Sequence, residues 1–240
     1  QNTLRNSESN KKIFIVLKCA SLAIGGGSLI IFFFFLLFGS FEIIPAGKGF
    51  SKAMSINGLL SFVFFLQHSI MARKFFHDKV LEMVPKKYYA ALFSIVSGIT
   101  LFCVVIFWQK TIVLYQADTT LSWILRSLFV GACLGMIWGI RSLKGFDPLG
   151  LRMSIQKSDN RCASIKARGA YRFVRHPLYL FLLIMIWSNP LLTADRLFFN
   201  IVWSIWIITG IFLEERDLVK EYGNSYTQYQ SNVPMLFPIK

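Results

Sequence analysis

The chain alternates long apolar runs with short polar loops, a pattern typical of helices that cross a membrane. We distinguish six apolar segments, approximately Val16–Phe41, Met54–Ala72, Ala90–Trp108, Leu121–Ile140, Pro177–Leu192 and Leu197–Leu213. The fifth and sixth are short, and the residues that separate them are Asn189, Pro190, Asp195 and Arg196. These two segments are compatible with a tight hairpin that dips into the bilayer without either helix crossing it fully.

Composition agrees with this pattern. Of the 240 residues, 55% are hydrophobic and 24 are Phe, and the mean hydropathy is +0.53, which is too apolar for a soluble domain. We therefore predict an all-α fold, a polytopic membrane helix bundle. The cysteines show no metal-binding or redox spacing, so no metal site is predicted; they are Cys19, Cys103, Cys133 and Cys162.

The positive charge is distributed unevenly between the loops. The net charge is +14 at pH 7, and Lys and Arg concentrate in the N-terminal arm, in the second loop from Arg73 to Lys87, and in the fourth loop from Arg141 to Arg175. The positive-inside rule then predicts that both termini and these two loops are cytoplasmic, which fits a bacterial inner membrane and equally an endoplasmic reticulum or nuclear envelope. Contact with anionic lipid headgroups accounts for the excess charge, so no nucleic-acid partner is predicted.

Three polar motifs interrupt the apolar pattern, and the predicted topology brings all three to the cytoplasmic face. "QHSIMARK" closes the second segment and contains His68, "RHPLY" opens the fifth, and "EERD" follows the sixth with Glu214 and Glu215. A lone histidine such as His68 near the end of a membrane helix is often only a packing residue, so it is the weakest of these candidates.

The "RHPLY" motif has the features of a helix start. Pro177 suits the first turn, so His176 is expected near the N-cap with free backbone donors just behind it. Together with Arg175, such a helix start attracts an anion, and Tyr179 shares the face of His176. The alternative is an interfacial belt, in which Arg, His and Tyr side chains reach the headgroup level.

The adjacent carboxylates Glu214 and Glu215 are unfavourable at the end of an apolar helix, because like charges repel and negative charge opposes the helix dipole there. A cation should compensate them. It is either Arg216 or an arginine of the fourth loop, or else the ammonium group of a ligand. A helix start that attracts an anion, next to a carboxylate that attracts a cation, suits a zwitterionic amino-acid group.

The C-terminal motifs resemble a known family. "GAYRFVRHPLY", the Glu214-Glu215 pair and "EYGNSYTQYQSNVPMLFP" resemble the signature of the isoprenylcysteine carboxyl methyltransferase-like superfamily of membrane methyltransferases. "LQHSIMAR", "FWQ" and "GFDPLGLR" are similar to its branch that contains methanethiol S-methyltransferase and nurim. The resemblance extends from about Leu60 onward.

This resemblance implies S-adenosylmethionine as the methyl donor, with Glu214 binding its ammonium group. The implied donor-binding residues are Gln156, Ala163, Ser164, Ile165, Lys166, Tyr171, His176, Pro177, Leu178, Tyr179 and Glu214. The expected organisation is a disordered cytoplasmic arm over 1–12, a bundle of four transmembrane helices over 13–140, and a region over 141–240. The last region holds the cofactor-binding loop, the helical hairpin and a cytoplasmic tail.

The methyl acceptor stays open at this point. A small thiol such as methanethiol is favoured, and a prenylcysteine carboxylate or other lipid acceptor is the first alternative. Because the thiolate is the reactive form of a thiol, His68, Arg175 and Glu215 are candidate catalytic residues that would raise its population. A non-catalytic, nurim-like protein is the second alternative, which the presence of His176 and Glu214 disfavours. Membrane lipids are expected to contact the chain, and no obligate protein partner is predicted.

Overall fold

The computed structural model describes residues 12–45, 49–82, 84–143 and 167–238. The helices are α1 (Lys12–Phe38), α2 (Phe50–Ala72), α3 (Lys74–Leu81), α4 (Lys86–Phe107), α5 (Thr119–Ser142), α6 (Pro177–Trp187), α7 (Ala194–Tyr222) and α8 (Asn224–Asn232). The strands are β1 (Val113–Gln116) and β2 (Leu191–Thr193), which pair antiparallel. The predicted all-α fold is confirmed, with this small sheet as an addition that the hydrophobic pattern did not indicate.

Within the described residues, five helices are long and apolar enough to cross a membrane, namely α1, α2, the part of α4 from Tyr88 onward, α5 and α7. Many of their large apolar side chains point outward. Leu59, Trp123 and Ile205, for example, are 63%, 66% and 60% exposed. Such outward apolar surfaces are stable in lipid and not in water. The chain is therefore an integral membrane protein, as predicted.

The sixth segment is longer than the sequence pattern indicated. We expected a short segment over Leu197–Leu213, but α7 runs for 29 residues and ends at Tyr222, before Gly223, which has a φ of 54°. Glu214 and Glu215 therefore lie about two turns before the end of the helix, so the argument from the helix dipole was wrong. Helix α7 is thus long enough to cross a membrane, whereas α6, with 11 residues, is as short as expected.

The chain forms two compact units. Among the described residues, the first contains 12–35, 40–45, 49–82 and 84–109. In it, α1 approaches α4 closely, because a methyl group on Gly98 would come within 2.9 Å of the Gly25 Cα atom. The side chain of Asn57 on α2 exchanges two hydrogen bonds of 2.8 Å with the backbone of Gln109, and so fixes the residues that follow α4.

Among the described residues, the second unit contains 36–39, 110–143 and 167–238. Helices α5 and α6 pack in opposite directions, since Gly135 meets Phe181 and Gly139 meets Leu178. Small residues at such a contact let two backbones approach closely, as is common between membrane helices. The start of α6 is thereby held against the end of α5.

The beginning of α7 is fixed by buried polar contacts in the same unit. Asp195 Oδ1 accepts hydrogen bonds from the backbone N–H of Thr111 at 2.8 Å and from its hydroxyl at 2.9 Å. Arg196, which is 2% exposed, donates to the carbonyl oxygen of Leu36 over 2.6 Å. These contacts and the β1–β2 pairing fix the axial position of α7, and with it the position of Glu214 and Glu215.

Candidate active site

The start of α6 has the local structure that the motif predicts. His176 is the N-cap residue and Pro177 occupies the first turn, where its missing N–H group costs no hydrogen bond. The His176 residue is 5% exposed. The prediction of a helix start at this motif is confirmed.

The backbone donors before this helix are not free, which corrects the expectation. The N–H of Arg175 donates to the carbonyl oxygen of Pro234 over 2.9 Å, and the N–H of His176 donates to that of Met235 over 3.1 Å. The chain after α8 returns to the start of α6 and supplies these carbonyls. The N–H groups of Leu178 and Tyr179 belong to the first turn, where a helix supplies no intrahelical acceptor.

Glu215 is the centre of a polar cluster. Its carboxylate accepts hydrogen bonds from Arg175 Nε at 2.5 Å and Nη2 at 3.0 Å, and from Gln230 Nε2 at 2.9 Å. His176 Nε2 lies 3.0 Å from Glu215 Oε1, and the Tyr226 hydroxyl donates to the same oxygen over 3.4 Å. An arginine of the fourth loop therefore neutralises Glu215, which is one of the two alternatives derived from the sequence.

Glu214 has a different environment from its neighbour. Its Oε2 atom accepts a hydrogen bond of 2.9 Å from the Tyr179 hydroxyl and lies 4.0 Å from His176 Nδ1. The Glu214 side chain is 44% exposed, whereas that of Glu215 is 11% exposed. Of the two acids, Glu214 is thus the one that a ligand can reach.

Two phenols, Tyr171 and Tyr229, lie beside the acid pair. The Tyr229 hydroxyl donates to the carbonyl oxygen of Tyr171 over 2.6 Å. Burial, followed by the negative charge of Glu214, raises the pKa of Tyr171. Burial also raises the pKa of Tyr229 to about 12, although the charge of Arg175 works against this shift. Both phenols are therefore neutral at physiological pH.

The turn that carries Tyr171 is fixed by its neighbours. Gly169 adopts a φ of 53°, a left-handed conformation that glycine adopts without strain. The next N–H group, that of Ala170, donates to Ser142 Oγ at the end of α5 over 3.2 Å. The structure thus brings Tyr171, Arg175, His176, Tyr179, Glu214 and Glu215 into one cluster.

The remaining predicted residues have other positions. His68 belongs to the first unit, where its ring centroid is 5.3 Å from that of Phe64 and 5.1 Å from that of Phe93. Pro177 is buried, and Leu178 packs against Gly139. The predicted donor-binding residues outside the described part of the chain are Gln156, Ala163, Ser164, Ile165 and Lys166.

Sequence reasoning missed two members of the cluster, Tyr226 and Gln230. Both lie on α8, a short polar helix within the C-terminal motif. Their i, i+4 spacing places them on one face of that helix, and this was the signal that would have identified them.

The fold and the site define an integral membrane protein whose ionisable cluster lies where α6 begins and α7 carries its acid pair. Similar sequences identify its class. The chain is 33% identical over 188 residues to methanethiol S-methyltransferase of Crocosphaera subtropica, an alignment covering 75% of this chain and 72% of that one. It is 31% identical over 211 residues to methanethiol S-methyltransferase of Pseudomonas deceptionensis, covering 82% and 78%.

A third relative, methanethiol S-methyltransferase 1 of Bradyrhizobium diazoefficiens, is 31% identical over 195 residues, covering 78% of this chain and 68% of that one. No protein-family model and no solved structure matches the chain. The chain belongs to the methanethiol S-methyltransferase family, and it is a membrane methyltransferase. This confirms the branch that the motifs indicated.

Proposed function

We propose that this enzyme transfers a methyl group from S-adenosylmethionine to a small thiol, with methanethiol as the acceptor. We choose methanethiol as the acceptor because the relatives are named methanethiol S-methyltransferases. The observation that carries the donor assignment is the exposed acid of the cluster. Glu214 is accessible and is oriented by Tyr179, while its neighbour Glu215 is neutralised by Arg175.

The residues present fit the amino-acid end of this donor. Glu214 would accept hydrogen bonds from the ammonium group, and the first-turn N–H groups of Leu178 and Tyr179 would bind the carboxylate. The neutral phenols of Tyr171 and Tyr179 add no negative charge that would repel that carboxylate. The loop residues Gln156 and Ala163 to Lys166 are proposed to complete the donor site.

Methyl transfer needs the donor and the acceptor to be aligned, and it needs no covalent intermediate with the protein. The acceptor thiolate attacks the methyl carbon as the bond from that carbon to the donor sulfur breaks, and the products are a thioether and S-adenosylhomocysteine. The acceptor thiol loses its proton to water before this step, so the thiolate is the form that reacts. The protein contributes by holding donor and acceptor in line and by excluding water.

We propose that the enzyme resides in a bacterial inner membrane with its active site in the cytoplasm. The basic second and fourth loops support this orientation. Single cysteines introduced at Gly223 and at Gln116, in a variant without the native cysteines, would test it. An impermeant thiol reagent added to intact cells should label position 116 and leave position 223 unlabelled, and the reverse result would contradict the orientation.

Donor binding is tested by titration calorimetry of the purified protein with S-adenosylhomocysteine. Glu214→Ala should weaken binding by about 2–3 kcal/mol, because it leaves a ligand ammonium unpaired in a partly desolvated site. Glu221→Ala, which removes an exposed acid of the same helix, is the matched control and should bind normally. Wild-type protein that does not bind, or Glu214→Ala protein that binds as tightly as wild type, would refute the donor site.

The acceptor is tested separately. Purified enzyme, S-adenosylmethionine and methanethiol should yield dimethyl sulfide in the headspace, and Glu214→Ala should reduce the yield. A prenylcysteine substrate serves as the competing acceptor. If the donor binds and only the prenylcysteine becomes methylated, the small-thiol assignment is wrong while the donor assignment stands.

A further inference from the structure

We infer that Glu215 is a positioning residue that fixes the ring of His176, and that the C-terminal strap, defined here as residues 230–235, holds Glu215 and Arg175 in place. This assigns Glu215 a role other than that of a proton acceptor from the substrate. The effect on donor binding rests on the proposed function. The effect on His176 does not, because it concerns contacts within the protein.

The carboxylate of Glu215 is already fully engaged. A carboxylate has about four lone-pair positions, and those of Glu215 face Arg175 Nε, Arg175 Nη2, His176 Nε2 and Gln230 Nε2 at 2.5 to 3.0 Å. A proton taken from a substrate would have to displace one of these partners. Because the Glu215 residue is only 8% exposed, the substrate would also have to reach a covered group.

The contact between Glu215 and His176 selects a tautomer. An ionised carboxylate only accepts hydrogen bonds, so the proton of the imidazole must be on Nε2. In the neutral ring Nδ1 then carries the lone pair. Nδ1 lies 4.0 Å from Glu214 Oε2, so the lone pair is on the side where the donor is proposed to bind. Glu215 therefore fixes both the orientation of the ring and the side that carries its acceptor atom.

The C-terminal strap holds the other side of the cluster. Arg175 Nη1 donates to the carbonyl oxygens of Gln230 and Val233 at 3.0 and 2.5 Å. The backbone N–H groups of Arg175 and His176 donate to the carbonyl oxygens of Pro234 and Met235. The strap thus binds Arg175 through both side chain and backbone, and the Gln230 side chain binds Glu215 directly.

Nitrogen-15 NMR of the imidazole rings tests the tautomer without any donor or acceptor. The chain has three histidines, and a His176→Gln variant assigns the signals of His176. We expect Nε2 of His176 to be protonated in the wild-type protein, in the neutral or the charged ring. A neutral ring protonated on Nδ1 alone would overturn the inference. A failure of the proposed function leaves this measurement unaffected.

The role of the strap is tested with two glutamines of α8. Gln230→Met keeps the size of the side chain but cannot donate to Glu215, and Gln228→Met is the matched control, because Gln228 is exposed. Loss of one hydrogen bond to a charged group should raise the Kd for S-adenosylhomocysteine roughly three- to tenfold in Gln230→Met and leave the control unchanged. Equal Kd values in both variants would overturn the inference.

Glu215→Gln separates positioning from proton transfer. The amide oxygen still accepts a hydrogen bond from His176, so a positioning role predicts that kcat falls less than about tenfold and that the Kd for the donor product rises with it. Removal of a general base would instead reduce kcat by roughly 100- to 10,000-fold at unchanged Kd. That second result would overturn the inference. If the variant does not fold, the Gln230→Met comparison decides the question.

Discussion

The hydroxyl of Tyr179 donates a hydrogen bond of 2.9 Å to Glu214 Oε2, one turn of α6 away from the N-cap residue His176. This contact holds the exposed acid in place while leaving its other oxygen free of Tyr179. The orientation of Glu214 on α7 therefore depends on the position of α6, which carries Tyr179 and begins after His176.

Tyr179→Phe should therefore weaken donor binding without abolishing it. The phenylalanine keeps the ring but lets Glu214 rotate, so we expect the Kd for S-adenosylhomocysteine to rise roughly three- to tenfold, the loss of about one hydrogen bond. Titration calorimetry measures this Kd. Tyr115→Phe, on the exposed strand β1, controls for the general effect of removing a phenol. A Kd equal to that of the wild type would show that Tyr179 does not orient Glu214.

Gly139→Ala should destabilise the contact between α5 and α6. A methyl group at this position would lie 2.7 Å from Leu178 Cδ2, so the Leu178 side chain must leave its rotamer within the packed contact. We expect a loss of about 1–3 kcal/mol, the usual cost of overpacking, seen as a lower melting temperature in detergent. The same change at Gly131, whose methyl group would meet no atom within 4 Å, should leave stability unchanged or slightly higher.

Asp195→Ala should destabilise the second unit. The substitution leaves the partly buried N–H of Thr111 without the carboxylate oxygen that accepts its hydrogen bond, which costs about 1–3 kcal/mol. Asp195→Asn keeps an acceptor oxygen and should lose less. Thermal unfolding of both variants checks this order. Equal losses would mean that the charge of Asp195, and not its hydrogen bonds, stabilises the start of α7.

The raised pKa of Tyr229 predicts that the free energy of unfolding falls at alkaline pH. Because its pKa is raised to about 12 in the folded protein from about 10 in an unfolded chain, the neutral phenol stabilises the fold fully below the unfolded value. That contribution is lost as the pH rises towards the folded value. The difference in melting temperature between wild type and Tyr229→Phe should therefore shrink between about pH 9 and pH 12. A difference that grows over this range would contradict the assignment.

The local chemistry of "RHPLY" was predictable because it depends on a few neighbouring residues. Pro177 has no N–H group and a fixed φ, so the helix start at His176 follows from the sequence alone. The length of α7 did not follow in the same way. Glu214 and Glu215 resemble a polar end to an apolar segment. However, Arg175 neutralises Glu215, the Tyr179 hydroxyl donates a hydrogen bond to Glu214, and the helix continues to Tyr222.

The different environments of Glu214 and Glu215 could not be predicted from the sequence either. The resemblance assigned the donor ammonium to Glu214, and the structure keeps that residue accessible. The i, i+4 spacing places Tyr226 and Gln230 on one face of α8, but it does not indicate that this face meets Glu215. It also does not indicate that the carbonyl oxygens of Pro234 and Met235 accept hydrogen bonds from the N–H groups before α6. Those contacts depend on the path of the chain after α8, which hydrophobic periodicity does not encode.

Consecutive residues of an α-helix point about 100° apart, and this angle separates the exposed Glu214 from the enclosed Glu215. A single-residue insertion or deletion between Trp203 and Leu213 would rotate both acids by that angle relative to the buried start of α7 at Asp195. A substitution in this stretch leaves the direction of both carboxylates unchanged, whereas a change in its length would remove both from their partners at once. The cluster therefore requires a fixed number of residues between Asp195 and Glu214.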